Sequence, residues 1–486
     1  MNRDMVRRIA AAAAMMLMLQ SGGVSASPAG GAPLPAAAPS ASPSVSASPA
    51  EASPPPVTYS NLTFVDALNV ALHLQPTVQV AETLLAKAEA LLKGAGKQPN
   101  PSAIVSLYSD GITPRRNELL IPLDLFDRPA YRRKAAKADS EARRADLGTT
   151  RLLVARTVLK SYFAYWQAIR RCRVVFLYRM LLEQMLHVAD SDKAGRYTPL
   201  EKLRLRTELD RADNDLALEE GDREVAMGLL NAVMARNLET PIYLNGRLSS
   251  EPHDPYPALT SLDELMTHSL ARPEILAARK NAEAARMRYE VSMRSGAPTV
   301  GLLAYGTAFW FEEPYIRRQR GEQIFVTFPQ LWDWGSAHAE REGAKLEAKA
   351  LEQKVKAVML AVQTEVMTSW QSYQAADRRH GGLSAQYHTA VDAWKGVRDR
   401  FPGGGLMVDE AVNTARSARD ALQLYIQAEA QFHVARINTL WTAGHAIFPE
   451  GYVPQDVPEE TDDPIYRPSY KAPPVKAPEQ RPTDDL

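Results

Sequence analysis

Few residues in this chain are of a type and spacing that could do chemistry, and the most conspicuous are two acids beside a turn. Asp409 and Glu410 follow Gly403, Gly404, Gly405 and Leu406 at the start of a segment with helical periodicity, residues 407 to 444. Carboxylates in a first helical turn complement the positive end of the helix dipole. The glycine run is not a phosphate loop, because no Gly-Lys-Ser/Thr follows it. The 9 histidines, among them His187, His338, His380 and His388, form neither an HExxH pair nor a set with cysteine, so no metal site and no cofactor are expected. Cys172, the single cysteine, lies on an apolar stripe and reads as packing rather than as a nucleophile. No GxSxG elbow, Walker loop or dinucleotide fingerprint occurs, and the chain is read as a non-enzyme without catalytic residues. Basic residues (57) balance acidic ones (57), which leaves no field to attract nucleic acid.

Whatever these residues do, longer elements must place them, and the prolines outline those elements. Of 34 prolines, nine lie between Ser27 and Val57 and nine between Ala446 and Leu486. Residues 1–26 read as an export signal: Arg3, Arg7 and Arg8, then apolar Ile9 to Leu19, then Val24-Ser25-Ala26. That apolar run is too short to span a bilayer, which takes about 20 residues. No later run is long enough either, though membrane strands stay open. Residues 27–60 are rich in Ala, Pro and Ser, and residues 446–486 mix proline with acids such as Glu459 and Asp462. Neither segment can bury enough apolar surface to offset its chain entropy, so both are predicted to be disordered.

Between the tails the chain repeats itself at an offset of about 200 residues. Gln75-Pro76 matches Arg272-Pro273, Asn100-Pro101 matches Ala297-Pro298, and Leu125-Phe126-Asp127 matches Leu331-Trp332-Asp333. Further on, Val154, Val158 and Tyr162 match Val362, Val366 and Trp370, and Glu201 matches Asp409. The two units are predicted at 61–248 and 258–445. In each, an alanine-rich helix (63–98, 261–295) ends before a proline, a strand pair follows, and a very long helix and a shorter returning helix complete the unit. The strands are expected at Ala103–Ser109 with Glu118–Phe126, and at Val300–Phe311 with Gln323–Trp332. Leu119, Ile121, Leu123 and Leu125 alternate with other residues, as do Ile324, Val326 and Phe328. Tyr305, Trp310 and Trp332 give the second hairpin the aromatic density of a lipid headgroup belt; a buried hairpin of a water-soluble protein has the same pattern. If 131–194 is one helix it is roughly 95 Å long, with a stripe through Val154, Val158, Tyr162, Tyr165, Ile169, Cys172, Phe176 and Met180. Four strands cannot close a barrel, so membrane strands would require an oligomer.

In this doubled order the chain resembles the TolC-like outer-membrane efflux channels. The likeness is carried by LTFVDALNVALHLQP, by RPEILAARKNAEAARMRYEVSMRSGAPTVGL, by IPLDLFDR and FPQLWDWG ahead of the long helices, and by AGRYTPLEKLR and FPGGGLMVDEAV at the helix turns. The resemblance implies a mainly helical fold with a membrane β-barrel: a homotrimer whose twelve strands form one barrel in outer-membrane lipid, continued by a twelve-helix tube. It implies an exit channel in the outer membrane of a Gram-negative-type cell, with a large periplasmic portion. The partners it implies are a periplasmic adaptor and an inner-membrane efflux pump or ABC exporter. Gly195, Tyr197, Thr198, Pro199 and Glu201, with Gly403, Gly404, Gly405 and Leu406, would form the adaptor-contacting tips. Asp409 and Glu410 would line the constriction, although the second acid of the family's ring is here Val412. The rival reading is a periplasmic coiled-coil scaffold with no pore.

Overall fold

The computed structural model describes residues 62–105, 115–124, 127–192, 195–244, 256–309, 317–327, 335–449 and 452. The signal (1–26), the linker (27–60), nearly all of the tail beyond 449, Trp310 and Trp332 lie outside the described residues. Twelve elements follow in chain order: α1 Phe64–Leu74, α2 Pro76–Ala95, β1 Ser102–Val105, β2 Arg115–Leu123, α3 Arg128–Ser191, α4 Pro199–Val233, α5 Leu262–Ser269, α6 Pro273–Met293, β3 Thr299–Phe309, β4 Arg317–Thr327, α7 Ser336–Arg400 and α8 Val408–Thr442. The chain divides into a unit holding the strands and a unit holding the helices.

In the strand unit both hairpins join one antiparallel sheet of order β1-β2-β3-β4, so β1 and β4 are its edges. Register places Leu119, Ile121 and Leu123 of β2 opposite Ala304, Leu302 and Val300 of β3, which face Glu322, Ile324 and Val326 of β4. Within the described residues the two apolar alternations, Leu119 to Leu123 and Ile324 to Val326, thus share one face of the sheet, with Ile324 74% and Val326 50% exposed. On the other face, two glycines leave room for aromatic rings across the strand. A Cβ at Gly321 would lie 2.5 Å from Tyr305, and one at Gly301 would collide with the Phe325 ring. Each glycine is the register partner of the ring that covers it, an arrangement that fixes strand alignment. β4 begins at Arg317, ahead of the predicted Gln323. The run Arg317 to Gly321 has poor strand propensity, but its backbone is paired with β3, and ladder pairing overrides propensity. β2 likewise starts three residues before its predicted start at Glu118.

In the helix unit, the predicted helices 63–98 and 261–295 are each broken. Gln75 (φ −66, ψ 119) and Arg272 (φ −59, ψ 146) are extended, because the proline that follows excludes the helical region for the residue before it. Pro76 and Pro273 then begin α2 and α6 at a position that needs no N–H donor. Further along, α3 runs 64 residues and α7 runs 65, with no proline beyond Pro129 in the first turn of α3. At 1.5 Å per residue each is about 96 Å long. Both start after a left-handed residue, Asp127 (φ 56) and Gly335 (φ 91). Packed against α3 are α4, α6, α2 and α8, while α7 packs against α8 and α6.

The stripe of α7 is regular: Val362, Val366, Ser369, Tyr373, Ala376, His380, Leu383, Tyr387, Ala390, Trp394, Val397 and Phe401 are all buried or half-buried at steps of four and three. Such a 3.5-residue period keeps one seam against a neighbouring helix over its whole length. On α3 the predicted stripe holds at Val154, Val158, Tyr162, Tyr165 and Cys172, which are buried. One core gathers Phe64, Leu68, Val158, Tyr162, Phe163, Trp166 and Trp441. A second, farther along the same helices, gathers Val174, Tyr178, Leu182, Met185, Trp394, Val397 and Phe401. No helix among the described residues is long and apolar enough to cross a membrane.

Candidate functional site

The second core ends in the two helix turns that the sequence singles out, and both are built by local rules. In the α3–α4 turn, Gly195 has φ +68. Asp192 accepts from the Arg196 backbone N–H at 2.7 Å and from its Nε at 3.1 Å. Thr198 caps α4: its Oγ1 accepts from the Glu201 N–H, and the Glu201 carboxylate accepts from the Thr198 N–H at 2.7 Å, with Pro199 in the first helical position. The backbone hydrogen bond from Thr198 holds Glu201 below the usual carboxylate range.

The α7–α8 turn uses its glycines. Gly404 N–H donates to Phe401 O and Gly405 N–H to Arg400 O, at 3.0 and 3.2 Å, with Gly404 at φ +73. This is a Schellman closure, in which the left-handed residue satisfies the last helical carbonyls. The Arg196 guanidinium lies over Gly404, where a Cβ would approach Nη1 to 2.7 Å. Tyr197, buried, stacks on Phe401 at 5.5 Å and donates its hydroxyl to Phe401 O at 3.3 Å, which ties the two turns together. Leu406 is half-buried, while Pro199, Gly403 and Gly405 are exposed. Around them, Leu200 (76% exposed), Leu203 and Met407 (75%) leave apolar surface open.

Asp409 and Glu410 occupy the first turn of α8 and are exposed. Asp409 is paired: Arg204 Nη1, on α4, stands 2.5 Å from its Oδ1. Val412, at the position of the absent second acid, is 1% exposed inside the second core, a place that a carboxylate would enter only at a large desolvation cost.

Farther from the turns, polar groups missed by the sequence reading fix the helices against one another. Glu208 accepts from Tyr178 Oη at 2.9 Å and from two nitrogens of Arg416 at 3.1 and 2.5 Å. Burial opposes its ionisation, yet those hydrogen bonds hold Glu208 below the usual carboxylate range. Arg170 and Glu429, both almost fully buried, pair at 2.6 Å, and the guanidinium lies 4.1 Å from the Trp166 ring centre. The two residues that precede the helix-starting prolines have a common task. Gln75 Nε2 donates to Val233 O at the end of α4, and Arg272 Nη1 donates to Thr442 O at the end of α8. The dipeptides Gln75-Pro76 and Arg272-Pro273 were the visible signal for this. Of the predicted aromatic belt, Tyr305 is half-buried over Gly321.

No family model matches the chain, and no curated protein matches it. Solved structures do. The CusC structure, described as forming a transmembrane channel, matches at TM-score 0.64 and 15% identity over 80% of this chain and 93% of that one. The Neisseria gonorrhoeae MtrE outer-membrane channel, in its open state, matches at 0.63 and 17% over 78% and 88%. The Campylobacter jejuni CmeC outer-membrane channel matches at 0.61 and 14% over 78% and 85%. At such identities the likeness is one of fold: the chain is similar in fold to these outer-membrane channels.

Proposed function

We propose that this chain is the outer-membrane exit channel of a tripartite efflux or secretion system. Three copies, each built of two units at 61–248 and 258–445, would close a twelve-strand barrel continued by twelve helices. Substrates would pass from an inner-membrane pump or ABC exporter, with a periplasmic adaptor at the tips formed by Gly195–Glu201 and Gly403–Leu406. The observation that carries this reading is the four-stranded sheet whose outer strands, β1 and β4, have no further partner among the described residues. β3 and β4, of 11 residues each, have the length of tilted membrane strands. Open sheet edges are not tolerated in hydrocarbon, so further copies must cover them. Unpartnered apolar side chains on the helices, such as Leu346 and Leu360 of α7 and Leu218 and Val225 of α4, support the same assembly. Asp409 and Glu410 are assigned to the constriction.

Cell fractionation with unboiled gel electrophoresis tests this. The protein should sediment with the outer membrane, run as a trimer that resists SDS, and conduct ions in a planar bilayer. A soluble periplasmic monomer would be the scaffold instead.

A further inference from the structure

The acid assigned to the constriction is not a bare carboxylate in the folded chain. Arg204 projects from the start of α4 to within 2.5 Å of Asp409, and both side chains remain open to water, 44% and 61% exposed. Other ions of the tip are paired as well, Arg196 with Asp192, and both Lys202 and Arg206 with Asp190. We infer that Arg204 is the residue that sets ion selectivity at the tip, by cancelling the charge of Asp409. The inference rests on the channel reading above and names a determinant within it.

A lone carboxylate beside an ion path attracts cations as a monopole, whereas an Arg–Asp pair presents only a dipole, whose field falls off faster with distance. Salt screens the remainder over about 8 Å at physiological ionic strength. Three tips would therefore bring three near-neutral pairs to the constriction. Among the described residues Glu410 has no ion pair, and neither does Arg400 at the end of α7, so the charge that Asp409 adds at this turn is the one Arg204 cancels. An exposed pair of this kind adds little to folding, so removing the arginine should change permeation and leave the fold intact.

The full-length protein, reconstituted in planar bilayers under a potassium chloride gradient, decides the matter through its reversal potential. Arg204→Gln should raise the potassium-to-chloride permeability ratio by about threefold or more, the size expected of a unit charge a few ångströms from the ion path. Asp409→Asn should lower the ratio, the double variant should return near wild type, and Arg204→Lys should match wild type. A ratio unchanged in Arg204→Gln, or equal in the Gln and Lys variants, overturns the inference. So does a variant that no longer migrates as the wild-type oligomer, because Arg204 would then be a structural residue. Wild-type protein that conducts no ions counts against the channel reading itself.

Discussion

The most consequential single residues for stability are the ones that polarity alone would have placed outside. Arg170 on α3 and Glu429 on α8 are 2% and 5% exposed at their side chains and pair at 2.6 Å. Such a pair is weak proof of net stabilisation, but removing one partner takes the counter-charge from the other in a medium of low permittivity. Glu429→Ala is expected to lower the free energy of unfolding by about 3–5 kcal/mol. Replacing both members with apolar residues should recover much of that loss. Urea unfolding of the detergent-solubilised protein reads the difference; a single variant as stable as wild type would mean that Arg170 finds water on its own.

α4, α7 and α8 each close at a residue in the left-handed conformation. α8 closes at Gly444 (φ 88), with His445 N–H on Leu440 O and Gly444 N–H on Trp441 O, both at 3.1 Å. α4 closes with the same two bonds, Arg236 N–H to Asn231 O and Ala235 N–H to Ala232 O, but its left-handed residue is Ala235 (φ 54). Alanine in that region carries a steric cost between Cβ and the following carbonyl that glycine lacks. Ala235→Gly should therefore stabilise the protein by about 0.5–1 kcal/mol, less than the full steric cost because glycine loses more chain entropy on folding. A thermal midpoint that stays level or falls would count against this account of the α4 end.

For the folded molecule as a whole, buried carboxylates make stability depend on pH. Burial opposes the ionisation of Glu208 and Glu365, but hydrogen bonds from Arg416 and Tyr178 to the first, and from Arg272 and Arg156 to the second, hold both below the ordinary value of 4.5. A carboxylate with a depressed native pKa contributes stability that is complete above 4.5 and is lost as pH falls through the native value. Glu219 works in the opposite sense, since burial raises it and the folded state then holds its proton more tightly. The lowered values of Glu208 and Glu365 make melting temperatures decline as pH falls below 4.5, whereas the raised value of Glu219 makes its own contribution fade as pH rises above 4.5, so the two effects lie on opposite sides of that pH. Glu208→Gln should flatten that decline, and a pH profile identical to wild type would remove Glu208 from the explanation.

Much of this architecture could be read along the chain because its causes are local. Absence of proline and an apolar step of three and four specify rods wherever they fold, and alternation at Leu119–Leu123 and Ile324–Val326 specifies strands. Even the breaks at Pro76 and Pro273 follow from sterics between neighbouring residues, though the long alanine-rich runs masked them. The glycine turn and the acids after it were legible for the same reason. What could not be read was which distant groups meet. Arg317, Arg318 and Arg320 join a sheet because β3 offers them a ladder, Val412 occupies core space that an acid could not, and Arg204 reaches Asp409 only once two antiparallel helix pairs lie side by side. Backbone preference acts between neighbours in sequence, whereas charge, burial and packing act between neighbours in space, and only folding makes those neighbours.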